Sequence, residues 1–426
     1  MSNLGYRLLD ITGFGAVGQS MRHRNFRIYL IGFIPNVIGI WVVRVAMLWL
    51  TWELTRSSTW LGIIAAADAM PVMALGPIGG ALADRLDRRM ICIASQSVLM
   101  VISIVLAALT LTGLIEIWTL FALTLARGIT FAFWQPVRLA MMPNLVPRNE
   151  MAVVIALNSS LFNAAQFVGP AVTAPLLALG NAGYAFAVNV FAAGDMVWAL
   201  WQIDIPLSEG KGERGGSVFG EAWAGIRYAA LHPGIGPILL LLVILGVCVR
   251  PLQDLLPAFA DLVFDHGADG YSGMVSALGI GAMLAATWMI RRGNSGDITP
   301  VALRAGLVAG TTALIFSYID WYPLGLAGLA IFGFAMTSGG VAVQQLVQQA
   351  VPDAMRGRVL SLFGMFFRGG PAFGALVMGW VADAIGLHWP VLAGALIGLT
   401  AYGFAWLRRD RLHAALEKEP PRSGTT

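Results

Sequence analysis

Long apolar runs separated by short polar breaks dominate this sequence. Twelve of the runs are about 19 residues or longer, and an α-helix of that length crosses a hydrocarbon core of roughly 30 Å at 1.5 Å per residue. Only 12% of the residues are charged, against about a quarter in an ordinary soluble domain. The chain is therefore predicted to be an all-α membrane protein with twelve transmembrane helices, at residues 27–52, 58–83, 90–114, 118–141, 151–179, 184–205, 235–260, 271–290, 300–318, 323–350, 359–382 and 389–407.

The runs divide into two sets of six around one long polar break, residues 207–234. Within that break an apolar stripe at helical spacing predicts an amphipathic surface helix, formed by Phe219, Trp223, Ile226 and Ala230. The predicted organisation is a cytoplasmic N-terminal segment at 1–24, a six-helix bundle at 25–206, a cytoplasmic linker at 207–234, a second six-helix bundle at 235–407 and a cytoplasmic tail at 408–426.

Short features recur between the two halves. The recurring features are Val146-Pro147 with Val351-Pro352, Gly169-Pro170 with Gly370-Pro371, and Arg44 with Arg250. Their offsets of 205, 201 and 206 residues agree to within about one and a half helical turns. Parallel repeats of this kind predict two pseudo-symmetric six-helix bundles related by an axis along the membrane normal.

The positive charge is distributed unevenly between the two surfaces. If both termini are cytoplasmic, 22 of the 27 Lys and Arg residues fall on the inner side and Arg56 alone falls on the outer side. Cytoplasmic loops of membrane proteins carry such an excess, so both termini are predicted to lie in the cytoplasm. The same bias explains the net charge of +4, which is accordingly not a sign of nucleic-acid binding.

Cysteine and histidine usage indicates neither a cofactor nor an enzyme. The two cysteines, Cys92 and Cys248, lie in apolar runs, so no disulfide framework or metal cluster can be built from them. The five histidines fall far apart at helix ends or in loops. The sequence therefore predicts no metal site, no cofactor and no catalytic residues.

A dense charge cluster lies between the second and third runs, and reads Gly80-x-x-x-Asp84-Arg85-x-x-Arg88-Arg89. It resembles the signature of the loop between helices two and three in the major facilitator superfamily, with Asp87 where the usual pattern has glycine. A turn tolerates Asp as well as Gly. The resemblance implies the major facilitator fold and a gating role for this cluster. Asp84 is expected to bond to Arg138 or to a helix N-terminus and thereby close the inner face.

Further segments are similar to the enterobactin-exporter-like subgroup of that superfamily, among them Phe26-Arg27-x-Tyr29, Trp41-x-x-Arg44-Val45-Ala46, Trp52-Glu53-Leu54-Thr55, Gln135-Pro136-x-Arg138 and Leu256-Pro257. The subgroup implies a monomeric secondary transporter of the inner membrane that exports siderophores, macrolides or other amphiphilic compounds, typically by proton antiport. A proton-coupled importer of a small metabolite and a non-transporting sensor or scaffold are the alternatives. The helix-five hinge signature is partial, because Gly169-Pro170 is present but Ala165 replaces its upstream glycine.

Seven charged side chains are predicted at membrane depth, where each must pair or line water. They are Arg44, Asp68, Arg127, Asp195, Arg250, Asp254 and Arg368. By helical rise, Arg44 lies about 12 Å and Asp68 about 15 Å below the outer surface, so the two could meet as a titratable coupling site or as a plain buried ion pair.

The other five have separate interpretations. Arg250 and Asp254 could neutralise each other on one helix, or Pro251 could open that helix to a cavity. Asp195 is the second candidate for the proton carrier. Arg127 shares a helical stripe with Arg138 and is predicted to contact substrate or a carboxylate. Arg368 completes the predicted translocation path.

Overall fold

A computed structural model describes residues 15–83, 86–147, 150–203, 218–293 and 296–417. In chain order the helices of this part are α1 (Gly15–Ser20), α2 (Arg24–Thr55), α3 (Ser58–Ala83), α4 (Arg88–Leu111), α5 (Ile117–Met141), α6 (Met151–Leu177), α7 (Gly183–Gln202), α8 (Val218–Leu231), α9 (Ile235–Cys248), α10 (Leu256–Leu262), α11 (Gly267–Arg292), α12 (Thr299–Phe316), α13 (Tyr322–Ala350), α14 (Asp353–Ile385), α15 (His388–Leu407) and α16 (Arg409–Leu416). Short 3-10 turns follow α5 at Met142–Asn144 and α9 at Arg250–Gln253.

Twelve spans in the described residues are long and apolar enough to cross a membrane. Ten of them are single helices or parts of single helices. The fourth, Ile117–Asn144, joins α5 and its 3-10 turn, and the seventh, Ile235–Leu262, joins α9, the second 3-10 turn and α10. The prediction of an all-α protein with twelve transmembrane helices is confirmed. It succeeds because the length and hydropathy of a run, unlike its packing, can be read from the sequence alone.

The chain separates into two compact units that do not coincide with the two halves of the sequence. Unit 1 contains Met1–Leu54 and Met70–Glu213, and unit 2 contains Thr55–Ala69 and Arg214–Thr426. The first part of α3 therefore belongs to unit 2, and the rest of that helix belongs to unit 1. The boundaries predicted for the two six-helix bundles remain a prediction.

Unit 1 has an aromatic core between α2 and α5. Tyr29 and Phe33 stack with ring centroids 5.3 Å apart, and Phe131 and Trp134 are 5.1 Å apart one helix away. Tyr29, Phe33 and Trp134 are completely buried. Since lipid is as apolar as these side chains, their tight packing and not exclusion from water holds the helices together.

In unit 2, glycine residues allow α11 and α13 to pack closely, although the hydrophobic effect does not drive helices together in lipid. A Cβ added at Gly281 on α11 would overlap the carbonyl oxygen of Ala330 on α13, and one added at Gly333 on α13 would overlap the carbonyl oxygen of Leu278 on α11. The two helices thus approach each other backbone to backbone at reciprocal positions. This contact explains part of the high glycine content, 50 residues.

The seventh span is interrupted where its prolines lie. Pro251 and Pro257 each lack a backbone N–H and clash with the preceding turn of an α-helix, so the helix stops at Cys248 and resumes at Leu256. Non-helical backbone at membrane depth is tolerated only inside protein or next to water. The backbone N–H and C=O groups that the interruption frees from helical bonding must therefore face polar partners in the protein or water.

The linker contains the predicted helix, α8. Among residues 225–231, where burial is described, Gly225 and Ala229 are buried, and Gly225 packs against Arg358 of α14. Ile226 and Ala230, from the predicted apolar stripe, are exposed, which leaves them available to a membrane surface; the side chains of Phe219 and Trp223 lie outside the described residues. Residues 204–217 lie outside them as well.

Candidate functional site

Asp84 and Arg85 of the loop cluster lie outside the described residues, so the predicted brace between Asp84 and Arg138 remains a prediction. The cluster's other arginines bind helix ends in unit 1. Arg88 donates from Nη1 to the carbonyl of Ala140, 3.0 Å away in the last turn of α5. Arg89 donates from Nε and Nη2 to the carbonyls of Leu200 and Trp201, at 2.9 and 2.7 Å, in the last turn of α7.

Asp87, the departure from the usual loop pattern, is the N-cap of α4. Its side chain accepts from the backbone N–H groups of Arg89 at 2.9 Å and Met90 at 3.3 Å. A helix leaves its first N–H groups unsatisfied, and a carboxylate also interacts favourably with the helix dipole there. Glycine could not provide this cap. Gly80 of the loop pattern lies in α3, directly after Gly79. A Cβ added at Gly79 would approach the carbonyl oxygen of Ala132 on α5 to 2.6 Å.

Arg138 is 2% exposed and is held by neutral groups. Its Nη1 donates to the Tyr29 hydroxyl at 2.6 Å and to Oδ1 of Asn158 at 2.7 Å. The guanidinium carbon lies 4.6 Å from the centroid of the Phe33 ring and 4.9 Å from that of Trp134. Two hydrogen bonds and two cation–π contacts therefore stabilise a buried charge in the core of unit 1.

Arg127 of α5 and Arg44 of α2 both belong to unit 1. Arg127 is 7% exposed, and its Nη2 lies 3.4 Å from the carbonyl of Ile40, one turn before Arg44. The half-buried Arg44 has its guanidinium carbon 5.9 Å from the centroid of the Trp41 ring. Arg127 thus contacts the backbone of α2 one helical turn from Arg44.

The predicted hinge, Gly169 and Pro170, lies inside α6, which continues through both residues. Gly169 is buried, and a Cβ added there would overlap the Cβ of Trp41 on α2. The hydroxyl of Thr173 donates to the Gly169 carbonyl at 2.8 Å. Gly169 therefore permits close contact between α6 and α2; its role as a hinge remains a prediction.

In unit 2, Arg250 lies at the interruption of the seventh span. Its Nη1 donates to the carbonyl of Phe367 at 3.0 Å, and its guanidinium carbon is 4.3 Å from the centroid of the Phe367 ring. Asp254 ends the same 3-10 turn and is 3% exposed, and Arg368 is half-buried beside Phe367. The structure therefore brings Arg250 and α14 together at the non-helical segment.

The two remaining carboxylates have different surroundings. Asp195 is exposed on α7, on the face that also exposes Phe191 and Trp198. Exposure alone does not tell lipid from a water-filled path, and the role of Asp195 as a proton carrier remains a prediction. Asp68 is half-buried in the part of α3 that belongs to unit 2, whereas Arg44 belongs to unit 1, and the predicted pairing of these two remains a prediction.

A polar contact between α3 and α14 was missed by sequence reasoning. Asp383 on α14 accepts from the Ser57 hydroxyl at 2.6 Å and from the backbone N–H groups of Ser58 at 2.8 Å and Thr59 at 3.0 Å. The Thr59 hydroxyl in turn donates to the Gly379 carbonyl at 3.4 Å. Asp383 thus caps the N-terminus of α3, although Thr59 and Asp383 are 324 residues apart in the sequence. We call this contact the Asp383 cap.

Two further contacts lie next to the Asp383 cap. A Cβ added at Gly379 would overlap the Ser58 carbonyl oxygen, and one added at Gly62 would overlap the Ala375 carbonyl oxygen, so the two helices touch through their backbones. Beside them Arg56 forms an ion pair with Asp261. The aspartates were readable as acids near the ends of apolar runs, but no sequence signal indicates which helix each one caps.

One group of three side chains in the described part of the chain is close enough to share a metal ion: Asp297, His413 and Glu417. The Glu417 carboxylate is already engaged, because it accepts from the backbone N–H groups of Ile298 at 3.0 Å and Thr299 at 2.6 Å. Burial raises the pKa of Glu417, but hydrogen bonding to Ile298 and Thr299 outweighs this effect and lowers its pKa overall. Glu417 therefore attaches the end of α16 to the start of α12 as a second long-range cap.

Solved structures with this fold are transporters. A bacterial homologue of the human lysosomal transporter Spinster superposes with a TM-score of 0.68 at 14% identity, over 94% of this chain and 99% of that one. The human organic anion transporter MFSD10 superposes with a TM-score of 0.64 at 17% identity, over 89% of this chain and 99% of that one. At these identities the likeness shows the fold alone. Together with the twelve spans, it defines a multi-pass membrane protein with the major facilitator fold.

The sequence comparisons identify the family of this chain within that class of membrane protein. Residues 18–420 match the family of transmembrane secretion effectors, so the chain belongs to that family of the major facilitator superfamily. Macrolide efflux protein A of Streptococcus pyogenes is 23% identical over 84% of this chain and 89% of the relative. The multidrug efflux pump Tap of Mycolicibacterium fortuitum is 24% identical over 84% and 89%, and the enterobactin exporter EntS of Escherichia coli O1:K1 is 24% identical over 84% and 85%.

Proposed function

We propose that this protein is a secondary active transporter that exports a small amphiphilic organic compound across the inner membrane, by proton antiport with alternating access. Its relatives named for macrolide, multidrug and enterobactin efflux support export. The uneven distribution of Lys and Arg supports cytoplasmic termini. With that orientation the Asp383 cap lies at the outer surface and the Arg88 and Arg89 contacts lie at the inner surface.

The Asp383 cap is the observation that carries this proposal. Alternating access requires a helix from the first half of the sequence and one from the second half to separate at one surface while remaining together at the other. The cap joins α3 to α14 by hydrogen bonds, and every partner is a group that water can solvate once the helices part. Such a contact holds the outer end closed at a modest energetic cost of opening.

Asp68 is our candidate for the proton carrier. Burial favours the protonated acid and a nearby arginine favours the carboxylate, so a conformation that changes the surroundings of Asp68 changes its proton affinity. In the proposed cycle the outward-open state takes up a proton on Asp68, and return to the inward-open state releases it to the cytoplasm. Asp254 is the alternative carrier, since it is buried next to the interruption of the seventh span.

Arg127 and Arg250 are our candidates for substrate contact. Each is a cation at membrane depth next to an aromatic ring or a backbone carbonyl, and such a cation suits the polar end of an amphiphile while aromatic neighbours suit its apolar body. One belongs to unit 1 and the other to unit 2.

Transport in everted membrane vesicles tests the proposal. The vesicle interior corresponds to the periplasm, so an acid interior should drive labelled macrolide or labelled siderophore inward, and nigericin should abolish the accumulation. Vesicles carrying Asp68→Asn provide the matched control, because they should retain exchange of substrate without accumulation. Accumulation only in right-side-out vesicles would instead establish the importer, and binding without movement in either preparation would establish the sensor.

A further inference from the structure

A cluster of arginines surrounds one indole at the end of unit 2 where α12 begins and α15 ends. The guanidinium carbons of Arg304 and Arg409 lie 5.4 and 4.8 Å from the centroid of the Trp406 ring. Arg408 has its guanidinium carbon 4.1 Å from the centroid of the Phe404 ring. All three arginines are exposed. We call Arg304, Trp406 and Arg409 the Trp406 cluster.

The positive charge of this cluster is poorly compensated. Since Arg304 and Arg409 both lie about 5 Å from the same ring, their charges are at most about 10 Å apart and repel each other. Within residues 296–417 and the other described ranges, the one carboxylate in ion-pair contact with the cluster is Asp410, 3.7 Å from Nε of Arg409 and 96% exposed. An anion between the two guanidinium groups would relieve the repulsion.

The depth of the cluster indicates the source of that anion. Arg304 is five residues into α12, about 7.5 Å along the helix, and Trp406 is one residue from the end of α15. Tryptophan at the end of a span lies at the level of lipid headgroups, and a long arginine side chain reaches the same level. Next to the cluster, Phe404 is 55% and Leu407 is 84% exposed, so apolar surface continues from it into the membrane.

We propose that the Trp406 cluster binds the phosphate of an anionic phospholipid. The Arg304 and Arg409 guanidinium groups donate charge-assisted hydrogen bonds to the phosphate oxygens, the Trp406 indole packs against the glycerol backbone, and Phe404 and Leu407 contact an acyl chain. The bound lipid joins α12 to α15 and α16, because α16 is itself anchored to the protein by the buried Leu412 and Leu416. The proposal depends on the membrane fold and not on the direction of transport.

Binding to the purified full-length protein in detergent tests this site. We expect phosphatidylglycerol to bind in native mass spectrometry and to raise the melting temperature, whereas phosphatidylcholine and soluble glycerol 3-phosphate at equal concentration do neither. The double variant Arg304→Gln/Arg409→Gln should bind phosphatidylglycerol at least tenfold more weakly. The matched control is Arg291→Gln/Arg411→Gln, which removes two exposed arginines outside the cluster and should bind as the wild type does.

Two results would overturn the proposal. Equal loss of binding in both double variants would mean that phosphatidylglycerol responds only to total surface charge. Equal stabilisation by glycerol 3-phosphate would mean that the cluster is an anion site without lipid recognition.

If the Arg304 variant does not fold, fluorescence quenching by phosphatidylglycerol with brominated acyl chains provides a second measurement. Trp406→Phe should lose part of the quenching seen in the wild type, and an unchanged quenched fraction contradicts the site.

Discussion

The Asp383 cap makes a quantitative prediction for the variant Asp383→Asn. The carboxylate accepts from the Ser57 hydroxyl and from two backbone N–H groups at the start of α3, and it lies at the positive end of that helix. Losing a capping side chain costs about 0.5–2 kcal/mol, and losing a charge at a helix N-terminus costs about 0.3–1 kcal/mol. The amide keeps one acceptor oxygen, so we expect a total loss of about 1–2 kcal/mol from the state in which α3 and α14 touch.

A loss of that size changes the equilibrium between closed and open outer ends by a factor of about 5–30. Spin labels on Leu54→Cys and Ile385→Cys measure it, since both positions are exposed next to the ends of α2 and α14. In a background without the native cysteines, the distance distribution by pulsed electron resonance should shift towards the longer population in Asp383→Asn. The melting temperature is measured in parallel to confirm that the variant is folded.

Asp410→Asn is the matched control, because that carboxylate is 96% exposed and lies far along the chain from the Asp383 cap. It should leave the distance distribution unchanged. A folded Asp383→Asn protein whose open fraction differs from the wild type by less than twofold would refute the reasoning, and the cap would then be a local helix-end contact without a role in closing the outer end.

Four further predictions concern other positions. Asp68→Asn should abolish accumulation driven by a proton gradient while sparing substrate exchange in vesicles, and the coupling role of Asp68 fails if accumulation persists. Arg138→Gln should lower the melting temperature through a loss of about 2–4 kcal/mol, because it leaves buried hydrogen-bond partners unsatisfied; an unchanged melting temperature would contradict this. Gly281→Ala should cost about 1–3 kcal/mol by forcing helices apart, whereas Gly403→Ala, with open space around it, should cost nothing measurable in the same melting assay. Because the pKa of Glu417 is lowered in the fold, its carboxylate stabilises the protein above the ordinary glutamate pKa of about 4.3, and that contribution is lost as the pH falls through the lowered value. Glu417→Gln should lack this loss when unfolding is followed from pH 7 downwards.

Much of the fold could be predicted because hydrocarbon imposes simple rules on a sequence. A span must be apolar over a fixed length and must satisfy its own backbone, so the twelve helices follow from the runs themselves. The seventh span was predicted as one run at 235–260, and the sequence does not show where its helix stops, because a proline in an apolar run can also lie inside a continuous helix, as Pro170 does in α6. The division into units could not be predicted, because Thr55–Ala69 joins unit 2 through backbone contacts at Gly62 and Gly379, and glycines with this role look the same as any others in the sequence.

The candidate site was harder to predict than the fold, because we looked for partners of opposite charge. For several charged side chains the structure shows that the partner is the end of a helix instead. Asp87, Asp383 and Glu417 bind N-terminal N–H groups, and Arg88 and Arg89 bind C-terminal carbonyls.

The physical reason lies in the number and position of helix ends in a protein of this kind. Every span leaves up to four N–H groups and four carbonyls unsatisfied at the membrane surface, and the helix dipole places partial positive charge at one end and partial negative charge at the other. A surface carboxylate or guanidinium next to such a helix end therefore has a fixed partner, whereas a mobile side chain of opposite charge must give up conformational freedom to pair with it. The arginines of the loop between α3 and α4 show this directly, since Arg88 and Arg89 attach α4 to the ends of α5 and α7.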